Sequence, residues 1–405
     1  MKENSLMPIN PKKFRLCLVL LLIAGISRAQ FYDDFNKDKI EGWFFFTGDG
    51  NVSMDLVQMD GYARIRIDAT KDKYNVWWTI IKRDISGFVD LRKLQDPAYE
   101  LRVEAKVRLS AAPRRLNFMI NTQRTTNFHE HLMEFDIPDI SNWHVISYTT
   151  KNLNVRPGDT LYVQLDATDL GWDKYYVDID YYRADVVNVK TAGLDKGEAV
   201  PYHPPIPDAN TFSYHLNVAH DCLINSDFPG INFNDWRIKT PNGDANGFSV
   251  SGNQWAILKW DLRKFKGRKV DQAGLLELTT LALANGGNYC EVYGADFGME
   301  LGKIRVIEIL SGDPEWDQEK VTYDNFTQGK TYAAVFNTQM IYDADLTVVS
   351  GGKFFITISK PVMQRLLDGT TRGLLIRPLG AIDAAFFASE NKSGQEPKLH
   401  FNLKQ

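Results

Sequence analysis

Asn127–Asp139 reads NFHEHLMEFDIPD, with His129 and His131 on either side of Glu130. Histidines at this spacing can ligate a metal, take a proton from a substrate or hydrogen-bond a sugar. On a strand, residues i and i+2 share a face, so both rings would project together and Glu130 would turn away. The metal reading is the weakest. The sequence is not H-E-x-x-H, which needs a helix to bring two histidines onto one face. A strand chelate wants a third ligand, and His144 is merely the nearest histidine.

Eliminative cleavage of a polyuronate asks for other company. It needs a neutraliser for the C6 carboxylate, a base for the C5 proton and an acid for the leaving oxygen. Asn121, Arg124, His129 or His131, and Tyr176 are residues of those types, and an imidazole near its unperturbed pKa of ~6.5 suits base work near neutrality. No lyase signature accompanies them. A glycoside hydrolase would need two carboxylates at a defined separation, and no pair stands out. Holding a glycan asks least of these residues and ranks first. A lyase or hydrolase follows, then histidines with an ordinary structural role, then a metal site.

The elements that must position these groups are strands. Glu100–Leu109 (ELRVEAKVRL) puts Leu101, Val103, Ala105, Val107 and Leu109 on one face and mostly charged side chains on the other. Thr160–Leu165, Tyr176–Tyr182, Leu275–Leu278, Lys303–Leu310 and Phe354–Ser359 alternate similarly, separated by turns such as GDG, RPGD and SGGK. Lys360–Asp368 (KPVMQRLLD) is the one segment that reads as a helix, with Pro361 near its start and Gly369 after its end. Many short strands and little helix predict an all-β chain of two jelly-roll-like β-sandwiches. Pro201, Pro204, Pro205 and Pro207 mark a proline-rich linker over 191–211, between domains at 30–190 and 212–405.

Parity then suggests a binding face. On Arg115–Asn121, Leu116, Phe118 and Ile120 point one way, and Asn117, Met119 and Asn121 the other. Tyr162, Gln164 and Asp166 form the polar side of the next strand, and Tyr176, Asp178, Asp180 and Tyr182 share a parity further on. If these faces line one sheet, Asn117, Gln164 and Asp166 would bind substrate, with Trp77, Trp78 and Trp172 flanking them. Amides and Arg meet hydroxyls and carboxylates, while aromatic rings stack on sugar faces.

Residues 1–29 read as a secretory signal peptide. A basic start precedes the apolar run LCLVLLLIAGI, and Ser27 and Ala29 sit at the −3 and −1 positions of a cleavage site. No later run is long enough for a spanning helix. Removing this segment leaves 42 Lys+Arg against 50 Asp+Glu, an acidic balance that gives no nucleic-acid footprint. Two cysteines remain, Cys222 and Cys290, either paired or as buried thiols.

Two resemblances add to this reading. The opening DDFNKDKIEGWFFFTGDG, the strand YARIRID and the closing YYVDIDYYRADVV resemble galactose-binding-like carbohydrate-binding modules over roughly 33–187. That family often carries a structural calcium where its first and last strands meet, which implies Asp33, Asp34 and Asp180 as ligands here. The ordered series AHDCLIN, GNQWAILKWDL, DPEWDQEKVTYDNF and AFFASENKSGQEPKLHF resembles the DNRLRE-type secreted β-sandwich domains. Together they imply a secreted polysaccharide-binding protein of a glycan-degradation system, with an acidic glycan as the expected ligand. Trp260 and Trp316 are expected in the core.

Overall fold

The structure, a computed structural model, describes residues 31–405 apart from 38, 49–50, 73–77, 169–170, 203, 235–237, 240–245, 286–301, 340–341, 346–349, 381 and 392. The signal segment, Trp77 and Cys290 lie outside the described residues; Cys222 is buried. The chain is all-β, and two sandwiches follow one another.

The first contains β1 (Phe31–Asp33), β2 (Trp43–Thr47), β3 (Ser53–Met59), β4 (Tyr62–Asp68), β5 (Trp78–Asp84), β6 (Tyr99–Leu109), β7 (Arg114–Thr122), β8 (Leu132–Ile137), β9 (His144–Thr149), β10 (Leu161–Thr168), β11 (Lys174–Asn188) and β12 (Glu198–Val200). One sheet runs β3-β4-β11-β6-β9, with β1 also on β11; the other runs β12-β8-β7-β10-β5-β2. The alternation on β6 places its five apolar side chains in the core, facing Leu116, Phe118 and Ile120 of β7 and Leu161, Val163 and Leu165 of β10. Each of these leucine, valine, isoleucine and phenylalanine side chains contributes about 1.5–3 kcal/mol by leaving water. Strand β12 lies inside the segment expected as linker and extends the second sheet by pairing with β8.

A bulge on β11 breaks the parity expected there. The pairing with β6 slips between Ile179 and Tyr181, so Asp180 is the extra residue. Tyr176 and Asp178 therefore face outward, while Tyr182 turns into the core among Phe31, Trp43 and Phe118.

In the second domain, Gly274–Asn285 belongs to both layers. Its first half pairs with Lys353–Ile358 and Lys398–Phe401, its second with Ile382–Phe387, and the register shifts between Thr280 and Ala282. Gln254–Lys259 is buried on both faces, and Trp260 and Trp316 are core residues as expected.

Short helices α1 (Tyr323–Thr327) and α2 (Tyr332–Val335) precede α3 (Lys360–Asp368). Helix α3 matches its sequence signals, with Pro361 in the first turn and Gly369 at φ +78° closing it. The α1 capping box uses Asn325 rather than Glu or Gln, so the usual motif does not reveal it. Among the described residues no helix is long and apolar enough to cross a membrane.

The domains touch through buried polar groups. Arg365 of α3 reaches Asp136 of β8 and also holds Glu308 at 2.8 and 2.9 Å. Thr371 and Asn337 donate further hydrogen bonds to Glu308. Burial pushes the Glu308 carboxyl up, but the Arg365 charge and these donors outweigh it and hold it below its ordinary value. Gln339 donates to the backbone carbonyls of Arg115 and Thr168 at 3.0 and 3.2 Å.

Candidate functional site

The outer face of the second sheet can be read in rows from the strand register. One row runs Phe46, Ile80, Asp166, Asn117, Glu134 and Val200 across β2, β5, β10, β7, β8 and β12. The next runs Phe44, Lys82, Gln164, Met119 and Leu132. A third holds Asp84, Tyr162 and Asn121. The side of β7 opposite the core thus carries Asn117, Met119 and Asn121, as its alternation predicts.

This face changes character across the sheet. At the β2 margin Phe44 is 61% exposed and Phe46 41% exposed. Phe46 meets Trp78 edge to face, with ring centroids 5.5 Å apart. Beside them Lys82 sits over the Tyr162 ring at 4.2 Å. Burial lowers the Lys82 ammonium pKa, with Asp166 opposing the shift.

Toward the middle the side chains are polar and buried. Gln164 donates to Asn121 Oδ1, and Asn117 Nδ2 to Thr168 Oγ1 at 3.3 Å. The oxygens Asn117 Oδ1 and Asp166 Oδ1 have no hydrogen-bond partner among the described residues. Burial pushes the Asp166 carboxyl well above its usual range, with Lys82 only partly offsetting it. Farther on, Arg115 pairs with Glu134 at 3.3 Å, and the second domain closes over Asp136.

The histidines do not lie on a strand. Residues 128–131 form a turn, and β8 begins only at Leu132. The cause is local: the Asn127 side-chain oxygen accepts the His129 N–H at 3.0 Å, an Asx turn that competes with strand pairing. His129 is exposed and stacks on Tyr202 of the linker, with ring centroids 4.3 Å apart. His131 is buried, which lowers its pKa, and its Nδ1 has no partner among the described residues. The two rings therefore have different surroundings, contrary to the shared projection expected.

The constellation expected for elimination is divided. Tyr176 belongs to β11 in the other sheet, where Arg64 lies 3.7 Å from its ring centroid. Sheets stack about 10 Å apart and this tyrosine faces outward, so it cannot join groups on the outer face of β7. Arg124 is paired with Asp159 at 2.9 and 3.0 Å. Asn121 and Gln164 are brought together, with Asn117 and Asp166 paired on the same two strands. Trp172 is placed elsewhere, at the domain junction against Tyr332 and Arg377.

Of the carboxylates implied for calcium, Asp33 accepts from the Trp43 indole and the Phe35 N–H, Asp34 from the Asn36 N–H, and Asp180 pairs with Lys106 at 2.8 Å. Among the described residues no group of three or more His, Cys, Asp or Glu gathers to hold a metal.

Sequence reading missed Phe44, Phe46 and Lys82. The run WFFFT hides which phenylalanines face out; the alternation of the adjacent β5 was the available signal.

No family model matches the chain, and no curated protein matches it. Among solved structures it is similar to the CBM22-1 xylan-binding domain from Paenibacillus barcinonensis Xyn10C, at 15% identity over 40% of this chain and 96% of that one, with a TM-score of 0.28. The CBM22-1–CBM22-2 tandem of the same protein gives 13% identity over 93% and 97%, with a TM-score of 0.27. A family 11 carbohydrate-binding module from Clostridium thermocellum, in complex with a β-1,3-1,4-mixed-linked tetrasaccharide, gives 16% identity over 37% and 92%, with a TM-score of 0.25.

Proposed function

We propose that this chain is a secreted polysaccharide-binding protein of a glycan-degradation system, and that it holds glycan on the outer face of the second sheet. The observation that carries this reading is the adjoining of exposed Phe44 and Phe46, Trp78, Lys82, Tyr162 and Gln164 on three neighbouring strands. Aromatic faces at the margin stack on pyranose rings, and the amide binds hydroxyls. Lys82 gives the face a cation next to the aromatics, which favours a glycan bearing carboxylates. A lyase or hydrolase on the same face would need an acid other than Tyr176.

Affinity electrophoresis against neutral and uronate-rich polysaccharides tests the proposal, with ultraviolet absorbance and reducing ends followed in parallel. Retardation by a uronate-rich polymer, weakened by F44A/F46A and without new chain ends, is the expected result. Accumulation of unsaturated ends would establish a lyase instead, and absence of retardation across the panel would remove the binding reading.

A further inference from the structure

Far from that face, two imidazoles confront each other. His215 lies on the second domain's first strand, Tyr214–Asn217, and His400 on its last, Lys398–Phe401; the two residues are directly opposite in antiparallel register. Their neighbours Tyr214, Leu216, Leu399 and Phe401 fill the core, so this pair is on the outer side of the layer. The two Nδ1 atoms are 2.6 Å apart. Lone pairs cannot face one another at that distance without a positive centre between them. Between two imidazoles that centre is a hydrogen on one of the rings.

The surroundings assign that proton. His400 Nε2 lies 3.1 Å from Glu277 Oε2, and the other oxygen of Glu277 is 2.8 Å from Lys353 Nζ. A carboxylate held by an ammonium accepts hydrogen bonds, so His400 carries its hydrogen on Nε2 and presents a lone pair at Nδ1. This is the tautomer that ligates through Nδ1, with a carboxylate behind it fixing the ring. His400 and Glu277 are each 3% exposed, whereas His215 is exposed and supplies the bridging proton.

We propose that His215 and His400 form a two-histidine site for a divalent transition-metal ion of the Zn²⁺ or Cu²⁺ class, which takes the place of the bridging hydrogen as His215 shifts that hydrogen to its other ring nitrogen, and which takes water in its remaining positions. Imidazole suits these ions. Zinc–nitrogen bonds of about 2.0–2.1 Å at a tetrahedral angle need the nitrogens about 3.3 Å apart, a withdrawal the exposed His215 ring can make. The bound ion would join the strand that follows the linker to the strand that ends the chain.

The test is calorimetric titration of the untagged full chain with ZnCl₂ at neutral pH, beside His215→Asn and His215→Asp. One Zn²⁺ per chain is expected. His215→Asn loses the binding while its metal-free melting temperature follows the parent chain, and His215→Asp regains it in part. A Zn²⁺ isotherm unchanged in His215→Asn, or no binding by the parent chain, overturns the proposal.

Discussion

Arg365 of the second domain and Asp136 of the first face each other through two parallel hydrogen bonds, 2.7 Å from Nη1 to Oδ1 and 2.8 Å from Nη2 to Oδ2. Both side chains are largely buried. Removing one partner of such a pair strands the other without compensation. Asp136→Ala should therefore cost about 3 kcal/mol in urea unfolding. It should also separate one cooperative transition into two. A variant that unfolds like the parent chain would show that this contact contributes little.

Glu308 makes the same junction sensitive to acid. Its folded pKa lies below the unfolded value, so its contribution is complete above the ordinary carboxylate range and is lost as pH falls through the lowered folded value. Glu308→Gln should be less stable at neutral pH, and its stability should fall less steeply on acidification. Melting temperatures across an acid series check both statements.

Asp166 works in the opposite direction. Its folded pKa is raised, so its protonated form is favoured in the fold and any stability linked to that proton is lost as pH rises through the folded value. Asp166→Asn removes this titration while keeping a side chain of similar shape. It should stabilise the protein at neutral pH by about 1–3 kcal/mol. The gain should shrink toward zero below the unfolded pKa. A pH-independent effect would mean that the burial of this carboxyl is not what matters.

The aromatic margin gives a prediction about binding alone. Phe44→Ala and Phe46→Ala lie at exposed positions and should leave the melting temperature nearly unchanged. Each should weaken glycan binding by about 1 kcal/mol, or roughly fivefold. Lys82→Gln should weaken binding of uronate-bearing polymers and reduce its salt dependence, with little effect on neutral ones. Equal losses on both polymer classes would remove the electrostatic role of Lys82.

Much of the fold was legible because burial on one sheet face imposes a period of two. The core residues of β6, β7 and β10 follow directly from that alternation, as does the polar face with Asn117, Asn121, Gln164 and Asp166. What escaped were local exceptions and distant pairings. A single side chain, Asn127, turns the histidine segment away from strand geometry. One inserted residue, Asp180, reverses the facing of everything after it on β11. The meeting of Arg365 with Asp136 spans 229 positions, and no periodicity encodes it. Tyr176 parts from Asn121 for a related reason: strand parity says which side of a sheet a residue takes, but not which of two sheets the strand joins.

Strand β12 and the Thr357 hydrogen bond to the Pro205 carbonyl tie down both ends of the short segment between them. A flexible tether would let one domain stay on a polymer while the other searched nearby, raising avidity through a high local concentration. A connection pinned at both ends has no such slack. A gain in avidity would then have to come from several chains assembled on one polymer, each engaging it through its own sheet.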